Sequence, residues 1–411
     1  MAGRDSANKQ SRTATARRRL VFGMGAGAGV FLAAAAMATG SLVTAAPAKA
    51  DIDALLDPII QPIVTSLSDA IAGFDPAAAT DLTSWTDSLL ASLNSIDLAL
   101  PAASEPAAAA ASSTTTISGT GDIPLTVQEN TEPTVDVSVD GSTAEPVLVD
   151  TGSSGLVVPS SDLSLTQWLD LGFPTGISES GYSGGVQYLY LEYNDATVDY
   201  GNGVLSTANT PIDVEFLSWP TSFSAGSPLD FQQFLADNAT PGGILGIGDA
   251  ANAGPSESPF EAAGVSGVTV DIPQGELVVG SNAGTPLDTL SGAPTPTNAL
   301  YESVNGGTPV LVSDDIDSGG VFGTIPSSLE SGSSVPSGTT ISVYDNAAGT
   351  GTSLYTYTTG DLGNSGYDGP TVVSGSSIDS GVEPYLEEPI YISYTGTDGA
   401  LTFDVPGSGT A

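Results

Sequence analysis

Three aspartates of this chain stand in Asp-[Ser/Thr]-Gly triplets: Asp150-Thr151-Gly152, Asp317-Ser318-Gly319 and Asp379-Ser380-Gly381. Such a triplet can present a carboxylate on a tight turn, because glycine adopts backbone conformations that other residues resist. Alone it is weak evidence, since a chain so rich in these residues should hold about one by chance. The flanks separate the three. Asp150 follows Pro146-Val147-Leu148-Val149 and precedes Leu156-Val157-Val158-Pro159-Ser160-Ser161, while Asp317 follows Pro309-Val310-Leu311-Val312 and precedes Val321-Phe322-Gly323-Thr324-Ile325-Pro326-Ser327-Ser328. Upstream, Val139-Asp140-Gly141 is matched by Val304-Asn305-Gly306. Each half therefore reads as strand, tight turn, apolar strand, Asp turn, apolar strand, Pro-Ser-Ser, which is the mark of a duplicated lobe. Asp379 lacks these apolar flanks and is read as a plain turn.

The composition narrows the chemistry open to these carboxylates. All seven basic residues (Arg4, Lys9, Arg12, Arg17, Arg18, Arg19, Lys49) precede residue 51, and the chain has no His and no Cys. An imidazole-assisted Ser or Cys nucleophile cannot be built, nor can a zinc site of the usual nitrogen and sulfur ligands. A phosphate-binding loop lacks its Lys, and nucleic acid would meet no basic patch. Of the 47 acids only Asp5 precedes residue 51, so the remainder carries a formal charge near −46. Polyanions should repel it, and self-repulsion should ease in mildly acidic surroundings. What remains is carboxylate and hydroxyl chemistry. Two carboxylates held close together in a cleft share a proton and can activate a water between them, with no metal or cofactor. A second reading is a non-catalytic acidic β-rich surface protein that binds calcium or a protein partner, with Asp314, Asp315 and Asp317 as oxygen ligands. Their spacing fits no EF-hand loop, and calcium leaves the matching Asp150 turn unexplained.

The elements that must position these residues come from the pattern along the chain. Residues 1–50 read as an export signal: Arg17-Arg18-Arg19, a Gly- and Ala-rich apolar run, and Ala48-Lys49-Ala50 as a small-x-small cleavage site. The paired arginines and a weakly apolar core favour the twin-arginine route over general secretion. Over residues 51–100, Leu55, Leu56, Ile59, Ile60, Ile63, Val64, Leu67 and Ile71, then Leu82, Trp85, Leu89, Leu93 and Ile96, recur at helical spacing and predict a short helical hairpin. That hairpin is a stabilising appendage or a docking surface for a helical partner or the cell envelope. Residues 101–118, rich in Ala, Ser, Thr and Pro, read as a linker without packed structure, open to cutting by the protein itself. From residue 119 onward, β-branched alternation broken by Gly, Asn, Asp and Pro predicts an all-β region, divided into lobes at 119–285 and 286–411. A monomer is expected.

Several of these segments, in order, resemble the signatures of pepsin-like aspartic proteases: Asp150-Thr151-Gly152-Ser153 with Leu156-Val157-Val158-Pro159, Gly242-Gly243-Ile244-Leu245-Gly246-Ile247-Gly248, Gly275-Glu276-Leu277-Val278-Val279-Gly280, and Asp317-Ser318-Gly319-Gly320. The Gly320 ending, Gly201-Asn202-Gly203 and Pro389-Ile390-Tyr391-Ile392-Ser393-Tyr394 are similar to the mycobacterial PecA-type (PE-cleavage) proteases. The resemblance implies a bilobal β fold with pseudo-twofold lobes, Asp150 and Asp317 as the catalytic pair, and protein or peptide substrates such as secreted PE- or PPE-domain proteins at the cell surface. It implies that the hydroxyls of Thr151 and Ser318 cross-link the two Asp loops, and that a hairpin flap carries a Tyr. Gly181-Tyr182-Ser183-Gly184-Gly185 fits the flap and makes Tyr182 the candidate, ahead of Tyr200. Val157 stands where the family's flap Tyr finds a Trp. Ser153 can bond the outer oxygen of Asp150, whereas Gly320, at the matching place, has no hydroxyl, so Asp317 is expected to be the more easily protonated of the two.

Overall fold

The computed structural model describes residues 114–119, 121–182, 185–221, 228–249, 256–349, 353–360 and 369–407. The expected export signal, the helical hairpin at 51–100 and the linker up to residue 113 lie outside the described residues. The linker's expected end needs correction. Thr116–Gly119 forms an edge strand antiparallel to Leu205–Pro220, and the Thr115 hydroxyl donates to the Asn209 carbonyl at 2.6 Å. The β-branched Thr116 and Ile117 suit a strand once a partner edge satisfies its backbone, a partner that composition alone does not reveal.

The fold is all-β. In the first half, Leu205–Pro220, Ser154–Pro159, Ile244–Ile247, Glu145–Asp150, Glu132–Val139 and Val186–Tyr200 hydrogen-bond side by side in that order. Pairing of Val186–Tyr200 with Leu205–Pro220 closes these strands into a barrel. In the second half, Tyr355–Thr358, Thr340–Tyr344, Leu300–Val304, Val310–Asp315 and Ser377–Asp379 form an open sheet. A third sheet of six strands draws on both halves: Ile123–Pro124, Gly267–Asp271 and Glu276–Val279 pair in one ladder with Pro286–Ser291, Ile390–Ser393 and Ala400–Asp404. A lobe boundary at residue 285 therefore falls inside the span of a shared sheet.

The repeat inferred from sequence appears as repeated geometry. Asp140-Gly141 and Asn305-Gly306 both turn with positive φ (48° and 73°; 50° and 67°), which matches the right-handed twist of the flanking strands. Glu145–Asp150 pairs antiparallel with Glu132–Val139, as Val310–Asp315 does with Leu300–Val304. The apolar faces of these strands, including Val137, Val147, Val149, Leu156, Val312, Ile316 and Ile325, enter one continuous core spanning both halves. Val149 and Ile316 precede the two aspartates and are fully buried, so each carboxylate leaves the end of an anchored strand.

Candidate active site

The two aspartate turns meet. Each is braced from below by the other half's hydroxyl: the Thr151 N–H donates to Ser318 Oγ at 3.1 Å, and the Ser318 N–H donates to Thr151 Oγ1 at 2.8 Å. The same hydroxyls donate onward, Ser318 Oγ to the Val149 carbonyl at 2.6 Å and Thr151 Oγ1 to the Ile316 carbonyl at 2.9 Å. Both side chains are fully buried, so each bond closes a group that would otherwise be desolvated and unpaired.

Glycine sets how closely the carboxyls approach. A Cβ on Gly152 would overlap the Asp317 carboxyl, and one on Gly319 would stand 2.8 Å from Asp150 Oδ1. In place of a side chain, the Gly152 N–H points into the gap, donating to Asp150 Oδ1 at 2.9 Å and to Asp317 Oδ1 at 3.1 Å. The Gly319 N–H donates to Asp317 Oδ1 at 2.8 Å. Ser153 Oγ donates to Asp150 Oδ2 at 2.6 Å. All seven residues that sequence placed around the carboxylates (Asp150, Thr151, Gly152, Ser153, Asp317, Ser318 and Gly319) are thus brought together.

The electrostatics are unequal. Burial raises the Asp150 carboxyl above the usual carboxylate range, while Asp317, the Ser153 hydroxyl and the N–H groups of Gly152 and Ser153 pull it back. Burial pushes Asp317 well above that range, and the neighbouring carboxyls of Asp150, Asp379 and Asp315 push in the same direction. The pair titrates as a unit, with both carboxyls pushed up.

Tyr182 ends one strand of the hairpin formed by Gly176–Tyr182 and Val186–Tyr200. Its ring stacks on Phe234 at 5.5 Å and Tyr188 at 5.6 Å, with Phe231 at 6.3 Å, in a buried cluster that includes Val157. These rings supply the aromatic support that Val157 cannot. Burial raises the Tyr182 phenol well above its ordinary value, followed by the charges of Tyr188 and Asp150, and the Ser153 hydroxyl offsets this in part. The phenol therefore lies within reach of the Ser153 hydroxyl and the Asp150 carboxyl. Tyr200 lies elsewhere, fully buried against Phe260 at 5.0 Å, as a core residue beside the Gly201-Asn202-Gly203 turn.

Asp314, Asp315 and Asp317 do not converge. Asp314 accepts from the Tyr355 hydroxyl at 2.8 Å and Asp315 from Thr295 at 3.2 Å, as strand alternation sends neighbouring side chains to opposite faces. Among the described residues no group of three or more acids is arranged to hold a metal ion.

Sequence reasoning missed two residues here. The Tyr385 hydroxyl, on the short helix Glu383–Glu387, donates to the Ile316 carbonyl at 2.9 Å and lies 2.8 Å from Thr151 Oγ1, extending the brace under the pair. Nothing in its local sequence signals this, because its partners are far along the chain. Tyr385→Phe should lower the unfolding free energy by only about 1 kcal/mol, since Thr151 still bonds the Ile316 carbonyl. A slightly lower melting temperature with unchanged secondary structure is the expected result. The other is Asp379. The turn assigned to it from sequence is in fact the end of a buried strand, Ser377–Asp379, parallel to the strand leading to Asp317.

Residues 121–402 match the family described as the PE-PGRS C-terminal aspartyl peptidase-like domain. The chain is 40% identical over 300 residues to PE cleavage protein A of Mycobacterium tuberculosis (strain CDC 1551 / Oshkosh), covering 69% of this chain and 52% of that protein. To PE cleavage protein A of Mycobacterium marinum (strain ATCC BAA-535 / M) it is 43% identical over 302 residues, with the same coverage of 69% and 52%. The chain thus spans about half the length of the curated relatives it matches. With two mirrored aspartate turns braced on each other and a match covering most of the β region, the chain belongs to the PE-PGRS C-terminal aspartyl peptidase-like family.

Proposed function

We propose that this protein is an exported aspartic endopeptidase that processes secreted or cell-surface proteins, with PE-domain proteins as its substrate class. The observation that carries the reading is the shared Gly152 N–H between two buried carboxyls, each on a turn held by the other half's hydroxyl. Such a pair holds one proton and one charge. Asp150, with the Ser153 hydroxyl on its outer oxygen, serves as the ionised base and takes a proton from a water held between the carboxyls. Asp317 donates its proton to the peptide carbonyl oxygen as the water oxygen bonds to the carbonyl carbon. The resulting diol collapses by breaking the C–N bond: the proton held by Asp150 passes to the leaving amine while one diol hydroxyl returns a proton to Asp317, which restores the one-proton pair and leaves a carboxylic acid. No covalent bond to the protein forms. Tyr182, on the hairpin, closes over the scissile bond as the flap residue.

The substrate class comes from the names of the relatives, and the location at the cell surface from the signal-like residues 1–50. The test is incubation of the purified chain, at mildly acidic pH, with a recombinant PE-domain protein and with a peptide library, followed by mass spectrometry of new termini. Cleavage blocked by a statine-type inhibitor is expected. A chain that cuts neither substrate, or whose cutting ignores the inhibitor, would remove this reading. The acidic calcium-binder reading has no converging ligand set among the described residues to support it.

A further inference from the structure

Gly320 and Asp379 are two departures from the first half that meet at one spot. In the first half, Ile244–Ile247 runs parallel to the Asp150 strand with Gly246 beside Asp150. In the second, Ser377–Asp379 runs parallel to the Asp317 strand with Asp379 beside Asp315. Continued by two residues, that register sets Gly381 beside Asp317 and puts Asp379 at the place held in the first half by the apolar, fully buried Ile244. Gly320 likewise stands at the place of Ser153. A Cβ on Gly320 would overlap Asp379 Oδ1, so the missing side chain is the room that the extra carboxyl occupies.

That carboxyl is built in firmly but incompletely paired. Asp379 Oδ1 accepts from the Gly381 N–H at 2.8 Å, and its own N–H donates to Thr324 Oγ1 at 2.9 Å. The next residue ties the segment to the pair, since Ser380 Oγ accepts from the Asp317 N–H at 3.0 Å. Asp379 Oδ2 is sealed from solvent with no hydrogen-bond partner. A sealed, unpartnered carboxyl oxygen is costly.

We infer that Asp379 is a positioning residue of the catalytic centre, whose carboxyl, lodged in the space that Gly320 leaves, faces Asp317 where a hydroxyl faces Asp150, and so keeps the exchangeable proton of the pair on Asp317. This rests on the aspartic-peptidase reading above and deepens it. A hydroxyl donor favours the charged form of its carboxylate, whereas Asp379, itself pushed well above the usual carboxylate range by burial, opposes the charge on Asp317 as it ionises on the alkaline side. The two halves thus push their aspartates in opposite directions: Ser153 makes Asp150 the base, and Asp379 makes Asp317 the acid. The ionisable groups that act on this corner are Asp314 and Asp315 from the strand Val310–Asp315, Asp150 from the first half, and Asp317 itself. Residues 51–411 contain no cation to oppose them.

The test is the pH profile of kcat/KM for the intact chain and two variants. Asp379→Asn keeps an acceptor for the Gly381 N–H but cannot carry charge. Gly320→Ser combined with Asp379→Ile gives the second half the first half's own pair of residues and needs no polar group in the sealed position. In both, the alkaline limb is expected to move to lower pH by about one unit, with kcat at the original optimum falling more than KM rises. An alkaline limb left in place in whichever variant folds overturns the inference, as does activity that falls only in proportion to the folded fraction. Neither result touches the underlying reading, which falls instead if the Asp150→Asn or Asp317→Asn chain still cleaves.

Discussion

Asp150→Asn and Asp317→Asn should each lower kcat/KM for peptide cleavage by about 10³-fold or more while leaving the fold intact. Asn has nearly the shape of Asp and can still accept from the N–H groups of Gly152 and Gly319. What it cannot do is take a proton from water or give one to a carbonyl oxygen. Because the two residues act as a unit, the double variant should be little worse than either single one. Melting curves provide the control. Each single variant removes one of two crowded, buried carboxyls, so its melting temperature at neutral pH should equal or exceed that of the unaltered chain. Thr151→Val makes the contrasting case. It leaves both carboxylates but deprives the buried Ser318 N–H of its acceptor, while the Ile316 carbonyl keeps only the Tyr385 hydroxyl, so stability and activity should fall together. Full activity in either Asn variant, measured on protein shown to be folded, would refute the catalytic assignment.

Stability should fall steeply as pH rises from mildly acidic to neutral. Burial pushes Asp213, Glu215, Asp314 and Asp315 up to about 7, against ordinary values of 3.8 for Asp and 4.5 for Glu. It also pushes Glu302, beside Asp314, well above its ordinary value. Between about pH 4 and pH 7 the folded chain keeps protons on these groups that the unfolded chain has lost, so the unfolded state binds fewer protons and stability declines with rising pH. Their stabilisation is complete below the unfolded values and gone once pH passes the folded ones. One such group is worth on the order of 4 kcal/mol if its whole shift is expressed. Even if the set together delivers only about that much, the melting temperature should drop by about 10 °C between pH 4.5 and pH 8. Calorimetry across that range checks it, and a flat or rising curve would show that the buried acids are compensated in another way. Maximal stability and the one-proton state of the Asp150–Asp317 pair then share the acidic range.

Much of this site was legible before any coordinates. Asp150 and Asp317 stood out because the residues that anchor them, Val147-Leu148-Val149 and Val310-Leu311-Val312, repeat with their Asp-Gly and Asn-Gly turns, and duplication survives in sequence when the strands must bury the same faces. Asp379 was not legible for the converse reason. Its importance comes from a parallel ladder between strands distant in the chain, and its surroundings are polar, so hydrophobic periodicity carries no trace of it. Gly320 was read as a missing hydroxyl, but the structure shows a space already filled. Val157 stands in place of a Trp, yet Tyr188 from the hairpin's own second strand and Phe231 and Phe234 from a helix that no local pattern links to the hairpin supply the rings around Tyr182. Thr116–Gly119 failed as linker because an edge strand is defined by its neighbour, not by its own composition.

The absence of any positive side chain beyond Lys49, which leaves the buried acids with no cation to pair with, also decides how the protein can be seen. Trypsin cuts after Lys and Arg, so it has no site in the whole β region, folded or unfolded. A proteomic survey based on tryptic peptides would detect nothing of this domain, and amine-reactive labels would find no lysine there. Digestion at acidic residues, of which that region holds dozens, makes it visible. To any enzyme that seeks a basic residue, this region offers nothing to grip.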